Sequence, residues 1–284
     1  MARLKIRHES VYSYSAPVRF GRWRLLFRPV DNHANRLIGA TLETPPAKIE
    51  WANDAFGNSV CFLTPTMESN ELRVVNNLVV DRYPAPLVKA PVDDPCSATP
   101  IVYALSDRAV LAPFIGPTTD DDDKPYRDWL RTQLPQPGEP AVAYLTRLTK
   151  AIQAEFEYAV RWEEGTQSPA QTVGRMGGTC RDFAWLMVES VRRLGFAARF
   201  ATGYLYSPGT TVRGAGSTHA WCEVFLPELG WIEFDPTNGL VESESLIRVA
   251  ATQTWREADP MNGPVFGDAT CDVTVGVDVD LLAP

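Results

Sequence analysis

The most informative segment of the chain reads Gly177-Gly178-Thr179-Cys180-Arg181-Asp182-Phe183-Ala184-Trp185. Its paired glycines allow a sharp backbone turn and a close approach by a substrate. Thr179 is a suitable helix N-cap, and Asp182 stands at the capping-box position. Gly195 provides a fitting C-terminal stop. Between them, apolar residues recur at helical spacing, at Phe183, Met187, Val191 and Leu194. The segment therefore predicts a largely buried helix whose first residue is Cys180.

Cys180 is the candidate nucleophile. The unsatisfied N–H groups and the positive dipole end of a helix N-terminus favour a thiolate, which is the attacking form of cysteine. The backbone N–H of Cys180 is also placed to donate to an oxyanion. The negative charge of Asp182 opposes the thiolate unless the helix cap engages that carboxylate. Because a free cysteine is most often an inert buried residue, the assignment depends on suitable partners elsewhere in the chain.

His219 is the candidate base, and it lies at the start of a predicted strand, residues 218–226. This strand follows another predicted strand, residues 197–206, and a glycine-rich loop, residues 207–217. The twofold period of a strand places Trp221, Glu223 and Phe225 on the same face as His219. Ala220, Cys222 and Val224 lie on the opposite face. Cys222 therefore points away from His219, which argues against Cys222 as the nucleophile. A structural histidine is the alternative interpretation of His219.

The third group depends on the register of a predicted hairpin. The strand after His219 is followed by a tight connection and a returning strand that ends at Asp235. If Leu226 pairs with Trp231, Asp235 falls on the face opposite His219. If Phe225 pairs with Trp231, Asp235 lies diagonal to His219, at about 7–8 Å between Cα atoms, within reach of a side-chain hydrogen bond. A triad therefore requires the second register.

Cysteine acyl-transfer chemistry needs these three roles. The histidine accepts the thiol proton and later returns it to the leaving group, and a third group fixes the tautomer and supports the imidazolium. Cys180, His219 and Asp235 are the predicted set. Glu233, on the same face as Asp235, is the fallback for the orienting role. The alternative for Asp235 is a turn residue before Pro236.

Four segments together resemble the transglutaminase-like superfamily: GGTCRDFAW, RRLGFAARFATGY, THAWCEVFLPELGW and EFDPTNG. They occur in the family order Cys, His, Asp, separated by 219 − 180 = 39 and 235 − 219 = 16 residues. The opening IRHESVYSYSAPV resembles the β-rich region that precedes this core in bacterial members. The resemblance implies an α+β, papain-like core, with the nucleophile helix packed on an antiparallel sheet, behind a β-sandwich-like N-terminal domain.

The resemblance also implies acyl transfer through a thioester, with no metal or organic cofactor. The calcium dependence of animal transglutaminases does not carry over, because their regulatory domains have no visible counterpart here. Arg181 and Trp185 stand where relatives often carry Gln and His, and residues 251–255 replace a stretch that is often Gly-Arg-Asp-Tyr. These departures bear on pocket shape and specificity.

Three functions remain open at this point. Hydrolysis of a peptide or amide bond is favoured, because water is the default acceptor. Transfer to an amine is the alternative enzyme chemistry, and a non-catalytic binding module on the same fold is the third. The second oxyanion donor is unassigned, with candidates Tyr144, Tyr158 and Trp162. The glycine-rich loop at 207–217 is a hypothetical mobile rim over Cys180.

Composition narrows the partners. The chain has 284 residues, is 45% hydrophobic and has a net charge of −8, so a peptide or protein substrate fits better than nucleic acid or an anionic membrane. No apolar stretch is long enough to span a bilayer, and the N-terminus lacks the apolar core of a signal peptide. We expect a cytoplasmic protein. The oligomeric state is left open by the sequence.

Cysteine and histidine usage argues against a metal site and a disulfide framework. The three histidines do not pair at metal-ligand spacing, and the cysteines are odd in number and form no CxxC motif. The cysteines are Cys61, Cys96, Cys180, Cys222 and Cys271. The acidic run Asp120–Asp123 is interpreted as a solvated loop, with a calcium site as the less favoured alternative.

The flanking regions complete the predicted organisation. The first 85 residues are β-rich, with a hairpin turn at 56–58, and suggest a sandwich or open barrel. Residues 84–100 are proline-rich and are predicted to form a linker. The apolar periodicity predicts a helix at residues 140–158 and a half-buried strand at residues 271–282. The early strand segments are Leu4–His8, Val11–Tyr14, Trp23–Arg28 and Leu72–Val80. The predicted domains are a β-rich domain at 1–92, a connecting segment at 93–139, the catalytic core at 140–260 and a C-terminal tail at 261–284.

Overall fold

The computed structural model describes residues 1–83, 99–120, 123–161, 165–206, 213–214 and 216–282. Several sequence predictions fall partly or wholly outside these residues. They concern most of the proline-rich linker, Cys96, the centre of the acidic run at Asp121 and Asp122, the oxyanion candidate Trp162, and most of the glycine-rich loop.

The N-terminal region is a sandwich of two antiparallel sheets. One sheet has the strand order β15-β1-β6-β3, with β16 also paired to β1, and the other has the order β14-β2-β5-β4. The strands are β1 Ala2–Phe20, β2 Trp23–Arg28, β3 Asn35–Glu43, β4 Ala47–Asn53, β5 Ser59–Pro65, β6 Ser69–Arg82, β14 Met261–Asn262, β15 Val265–Phe266 and β16 Cys271–Leu281. Alternate side chains of β1 point inward, as the twofold strand period requires. The predicted hairpin turn at 56–58 joins β4 to β5.

The sequence divides the first strand where the structure does not. Leu4–His8 and Val11–Tyr14 are predicted as separate strands, but both lie in the continuous strand β1. The prediction is wrong because two polar residues, His8 and Ser10, interrupt the apolar alternation although both are buried. His8 Nε2 and Ser10 Oγ lie 3.0 Å apart in a hydrogen bond. Two buried polar residues that are hydrogen-bonded to each other therefore produce the same sequence pattern as a turn.

The core is a third antiparallel sheet with a helix against one face. Its strand order is β12-β11-β10-β9-β13. The strands are β9 Ala198–Leu205, β10 His219–Leu226, β11 Gly230–Asp235, β12 Leu240–Val241 and β13 Leu246–Thr252, and a two-stranded parallel pair is formed by β7 Glu157–Tyr158 and β8 Gly177–Gly178. The helices are α1 Leu105–Leu111, α2 Lys124–Thr132, α3 Ala141–Glu155, α4 Pro169–Arg175 and α5 Cys180–Arg193. The papain-like α+β architecture with a β-sandwich before it is confirmed.

Helix α5 is the nucleophile helix of the sequence analysis. It begins at Cys180 and ends at Arg193, and Gly195 follows it with φ of 86°, a conformation that glycine adopts without strain. Its apolar face packs on β9 and β10 in one core cluster that also holds Leu145, Leu148 and Ile152 of α3. The predicted helix at 140–158 is therefore present as α3, but it ends at Glu155, because the chain turns extended at Phe156 to form β7.

Strand β16 is less covered than its alternating valines suggest. Val277 is buried, whereas Val273 and Val275 are 49% and 38% exposed. Val277 packs in a cluster with Tyr204 and Ile247 of the core sheet, so only the part of the strand near the core has a partner layer. The prediction of a half-buried strand holds for that part alone.

The sandwich and the core sheet share a buried polar link at His8. Tyr204 Oη donates to the carbonyl of Phe27 over 3.0 Å, so this hydroxyl accepts from His8 Nδ1, 3.1 Å away. The other ring nitrogen then accepts from Ser10. Burial lowers the pKa of His8 to about 4, because a charged imidazolium would lose its hydration there.

We expect this histidine to make folding sensitive to mild acid. The folded protein binds fewer protons than the unfolded chain between about pH 6.5 and pH 4, so stability falls as the pH drops through that window, by about 2–3 kcal/mol in total. Urea unfolding at several pH values measures this slope. A His8→Asn variant should lose the slope in this window. An equal slope in the variant would assign it to other groups.

None of the helices in the described ranges is long and apolar enough to cross a membrane.

Candidate active site

Cys180 is held at the start of α5 by a crowded turn. Strand β8 pairs in parallel with β7, so Gly178 lies beside Tyr158. A Cβ on Gly178 would meet Asp182 and Gln167 at 2.8 Å, and one on Gly177 would meet the carbonyl of Glu157 at 2.8 Å. The paired glycines are therefore needed for close packing of chain segments. Cys180, which lies two residues after Gly178, is 8% exposed.

Asp182 anchors this turn. Its carboxylate accepts the backbone N–H of Thr179 over 2.8 Å and the Thr179 hydroxyl over 2.9 Å. It also accepts the backbone N–H of Gln167 over 2.7 Å and two guanidinium N–H groups of Arg161, over 2.7 and 2.9 Å. Burial by itself would raise the pKa of Asp182, but Arg161, Thr179 and Gln167 hold it at about 2. The predicted capping role is present, and the charge that would oppose a thiolate at Cys180 is paired with Arg161.

The hairpin adopts the register that a triad requires. Phe225 pairs with Trp231 and Leu226 with Gly230. His219 Nε2 and Asp235 Oδ2 consequently lie 2.9 Å apart, and both side chains are buried. Asp235 is fixed in turn by the backbone N–H of Thr237, which donates to its Oδ1 over 2.9 Å. Because Asp235 occupies Nε2, Nδ1 is the ring nitrogen of His219 that remains available.

That remaining nitrogen is the one available to Cys180. Nδ1 is buried and has no hydrogen-bond partner among the described residues, and the Cys180 thiol is close enough to the ring to affect its protonation. Although burial opposes the charged form, Asp235 and Cys180 together raise the pKa of His219 to about 10. The structure therefore brings Cys180, His219 and Asp235 together and favours an imidazolium between the two acidic groups.

Asn238 is a site residue that the sequence analysis missed. Its Nδ2 donates to Asp235 Oδ2 over 3.0 Å and to the carbonyl of Arg213 over 3.3 Å, and its Oδ1 accepts the backbone N–H of Arg213 over 2.9 Å. A Cβ on the next residue, Gly214, would lie 3.0 Å from His219 Nδ1. Asn238 thus links Asp235 to the described part of the glycine-rich loop. Its only signal in the sequence is its place in EFDPTNG.

The glycine-rich loop contacts the site where it is described. Gly214 has φ of 84° and lies against the His219 ring. The carbonyl of Gly216 accepts the backbone N–H of Val277 over 2.9 Å, which ties the loop to β16. Residues 207–212 and 215 lie outside the described residues, so the hypothesis of a mobile rim stays a prediction.

The three oxyanion candidates separate clearly. The Tyr144 hydroxyl is buried in the α3–α5 core, where the ring stacks on Phe196 and the charged neighbours are Arg147 and Glu139, and Trp162 lies outside the described residues. Tyr158 is in the site: its hydroxyl would lie 3.5 Å from a Cβ on Gly214. Burial, and then the neighbouring Cys180 and Asp235, raise the pKa of Tyr158 to about 12, so this hydroxyl is a neutral donor at ordinary pH.

The remaining candidates lie elsewhere. Cys222 is fully buried against α5, on the face opposite His219, as its alternation predicts. Glu233, the fallback orienter, faces Arg82 at 3.5 Å and makes no contact with His219. Burial, and then the charge of nearby Glu223, raise the pKa of Glu233 to about 8. In the described ranges no group of three His, Cys, Asp or Glu side chains could hold a metal ion.

Two family models match the chain. The model of the transglutaminase-like superfamily matches residues 130–236, which include Cys180, His219 and Asp235. The model of the bacterial transglutaminase-like N-terminal region matches residues 4–81, which form most of the sandwich. The two matches follow one another along the chain in the same order as the sandwich and the core.

Relatives of similar length share both regions. An uncharacterized protein of Mycobacterium tuberculosis is 25% identical over 294 residues, covering 99% of this chain and 92% of the relative. An uncharacterized protein of Mycobacterium leprae is 24% identical over 290 residues, covering 100% of both chains.

A solved structure has the same fold. The crystal structure of a protein from Cytophaga hutchinsonii, described as a putative cysteine protease, superposes with a TM-score of 0.76 at 20% identity, covering 100% of this chain and 91% of that one. At this identity the likeness is one of fold. Family and fold together suggest cysteine-dependent catalysis. The chain belongs to the transglutaminase-like superfamily and carries the bacterial N-terminal region of that family.

Proposed function

We propose that this protein catalyses acyl transfer through a thioester on Cys180, with hydrolysis of a peptide or amide bond as the reaction. The observation that carries the proposal is the placement of His219, whose Nε2 is bonded to Asp235 while Nδ1 is left for Cys180. A structural histidine buried this deeply would be expected to have both ring nitrogens satisfied, as His8 does. The contrast between the two buried histidines supports a catalytic role for His219.

The geometry supports a definite sequence of proton movements. Cys180 Sγ attacks the substrate carbonyl, and the carbonyl π electrons move onto oxygen. His219 Nδ1, protonated, gives its proton to the leaving amine as the C–N bond breaks. Water then attacks the thioester and gives a proton to Nδ1, and Sγ leaves as the carboxylic acid is released. Asp235 stays bonded to Nε2 throughout and stabilises the imidazolium.

Two donors are available for the oxyanion. One is the backbone N–H of Cys180, which is the first residue of α5 and so lies among the helix N–H groups without an intrahelical acceptor. The other is the Tyr158 hydroxyl, which β7 holds beside the glycine turn. Donors placed before the reaction stabilise the developing charge without reorganisation. This assignment supplies the second donor that the sequence left open.

Isotope labelling would test the function and separate hydrolysis from transfer. The protein is incubated with a peptide library in ¹⁸O-water, with and without methylamine, and products are read by mass spectrometry. Hydrolysis puts one ¹⁸O into a new carboxylate, whereas transfer gives a methylamide. Activity should vanish in Cys180→Ser and persist in Cys271→Ser, which alters an exposed thiol. Product formation that survives Cys180→Ser would reject the proposal, and methylamide as the dominant product would replace hydrolysis by transfer.

Replacing Tyr158 with Phe is expected to lower kcat by about 10²-fold, because it removes one oxyanion donor while keeping the ring. The ring packs edge-on against Phe183, so the fold should survive. Iodoacetamide labelling of Cys180 develops no oxyanion and should keep its rate. Equal kcat values in the variant and wild type would remove Tyr158 from the mechanism.

We also propose a cytoplasmic location, which the scattered cysteines favour: all of those described are free thiols.

A further inference from the structure

Arg181 is an unexpected charge beside the nucleophile. It follows Cys180 in the first turn of α5, where a cation is disfavoured by the helix dipole. The side chain is exposed and has no ion-pair partner in the described part of the chain. Its neighbour Asp182 does not compensate it, because that carboxylate is enclosed by Arg161, Thr179 and Gln167. The fold therefore has no visible structural use for this guanidinium.

Arg213 brings a second cation to the other side of the site. Its backbone is held by Asn238, the residue that also bonds Asp235. Its guanidinium is exposed and donates to a neutral group, the carbonyl of Gln153, over 3.3 Å. Within the described ranges no carboxylate pairs with it. Because Gly214 lies against His219, Arg213 is placed at the edge of the reacting groups.

Both arginines act on the same small region. Their charges reach the Tyr158 hydroxyl, together with those of Cys180 and Asp235. The carboxylate of Asp235 is occupied by hydrogen bonds with His219, Thr237 and Asn238 and forms no ion pair with either arginine. Once Cys180 is acylated, its own charge is lost as well. A chain with a net charge of −8 thus keeps a local positive field where its substrate would lie.

We propose that Arg181 and Arg213 select an acyl donor that carries a carboxylate beside the scissile carbonyl, as an acidic peptide does. The inference rests on the proposed function, since it concerns the substrate of the same site. Guanidinium groups suit this task because they remain charged and present several donors to a carboxylate. These two arginines impose no requirement on the chemistry of the amine that leaves.

The charge preference can be measured without knowing the substrate. Iodoacetate and iodoacetamide alkylate a thiolate by the same step, in which an S–C bond forms and iodide leaves, but only iodoacetate carries a carboxylate. The rate of each reagent at Cys180 is followed by mass spectrometry, in wild type, Arg181→Ala and Arg213→Ala. Arg36→Ala, on strand β3 of the sandwich, is the matched loss of one exposed arginine. Exposed Cys271 serves as the reference thiol in every sample.

We expect the iodoacetate to iodoacetamide rate ratio at Cys180 to exceed that at Cys271 by about tenfold at low salt, and to fall about threefold in each active-site variant. Raising salt from about 50 to about 500 mM should shrink the preference, and Arg36→Ala should leave it unchanged. A ratio at Cys180 that Arg181→Ala and Arg213→Ala do not alter would overturn the inference alone. If neither reagent labels Cys180, the proposed function falls and the inference with it.

Discussion

Replacing His219 with Ala is expected to lower turnover on the order of 10⁴-fold, because it removes both the proton donor for the leaving amine and the partner of the thiolate. Asp235 retains hydrogen bonds from Thr237 and Asn238 in this variant but loses its charged partner, so the urea midpoint is expected to fall as well. Circular dichroism that shows a folded variant under the assay conditions would assign the loss of turnover to the chemistry. The peptide-library assay then gives the rate.

The same substitution should change how Cys180 responds to pH. Asp235 and Cys180, against the opposing effect of burial, raise the pKa of His219 to about 10, so the imidazolium is present throughout the neutral range and is lost only as the pH rises through about 10. In wild type, iodoacetamide should therefore label Cys180 at about pH 6 at least about tenfold faster than in His219→Ala. At high pH the two rates should converge, because the imidazolium that distinguishes wild type from the variant is lost there.

Asp235→Asn is the matched variant for this test. It keeps the shape of the side chain but removes the charge that supports the imidazolium, so we expect labelling at about pH 6 to lie between wild type and His219→Ala. Cys271, exposed and distant in sequence, should label alike in all three proteins. Equal labelling of Cys180 in wild type and His219→Ala at about pH 6 would mean that the two side chains do not form a functional pair.

The parts of this site that could be predicted from sequence depend on local rules. The start of α5 follows from the cap at Thr179 and the apolar period after Cys180. The pairing of His219 with Asp235 follows from hairpin geometry, since a one-residue change of register would move Asp235 to the other face. Each of these rules operates within a few residues of chain, so one sequence suffices to apply it.

The parts that could not be predicted join residues by tertiary contact. Arg161 reaches Asp182 across an intervening helix, and Arg213 reaches Asn238 across a hairpin. No periodicity or turn chemistry relates the members of either pair. His8 shows the same limit in the sandwich, because its partner Tyr204 is 196 residues away. Buried polar groups of this kind break the apolar patterns on which sequence reasoning depends.

The ion pair between Arg161 and Asp182 predicts the largest stability effect. Replacing Arg161 with Met is expected to destabilise the fold by about 3 kcal/mol, because it leaves a buried carboxylate without its cation. Asp182 is fully buried and Arg161 is nearly so. Urea unfolding measures the change. Lys124→Met is the control, since it breaks an ion pair with Asp128 that is largely exposed and should shift the midpoint little.

A pH series distinguishes loss of the charge pair from loss of packing. In wild type the pKa of Asp182 is held at about 2, so its contribution is present above the pKa of the unfolded chain, about 3.9, and is lost as the pH falls through about 2. Without Arg161, burial is opposed by Thr179 and Gln167 alone, so the pKa of Asp182 rises and the folded variant takes up a proton at a higher pH than wild type does. The gap between wild type and Arg161→Met should therefore be largest near neutral pH and narrow toward about pH 3.

This difference is insensitive to other acid-labile groups. The protonation of His8 lowers stability between about pH 6.5 and pH 4, but it does so equally in wild type and Arg161→Met and cancels when the two are subtracted. A gap that stays constant across the series would mean that Arg161 stabilises through packing alone. A gap that narrows would assign the effect to the charge on Asp182. The turn that positions Cys180 would then depend on an ion pair that also prevents Asp182 from opposing the thiolate.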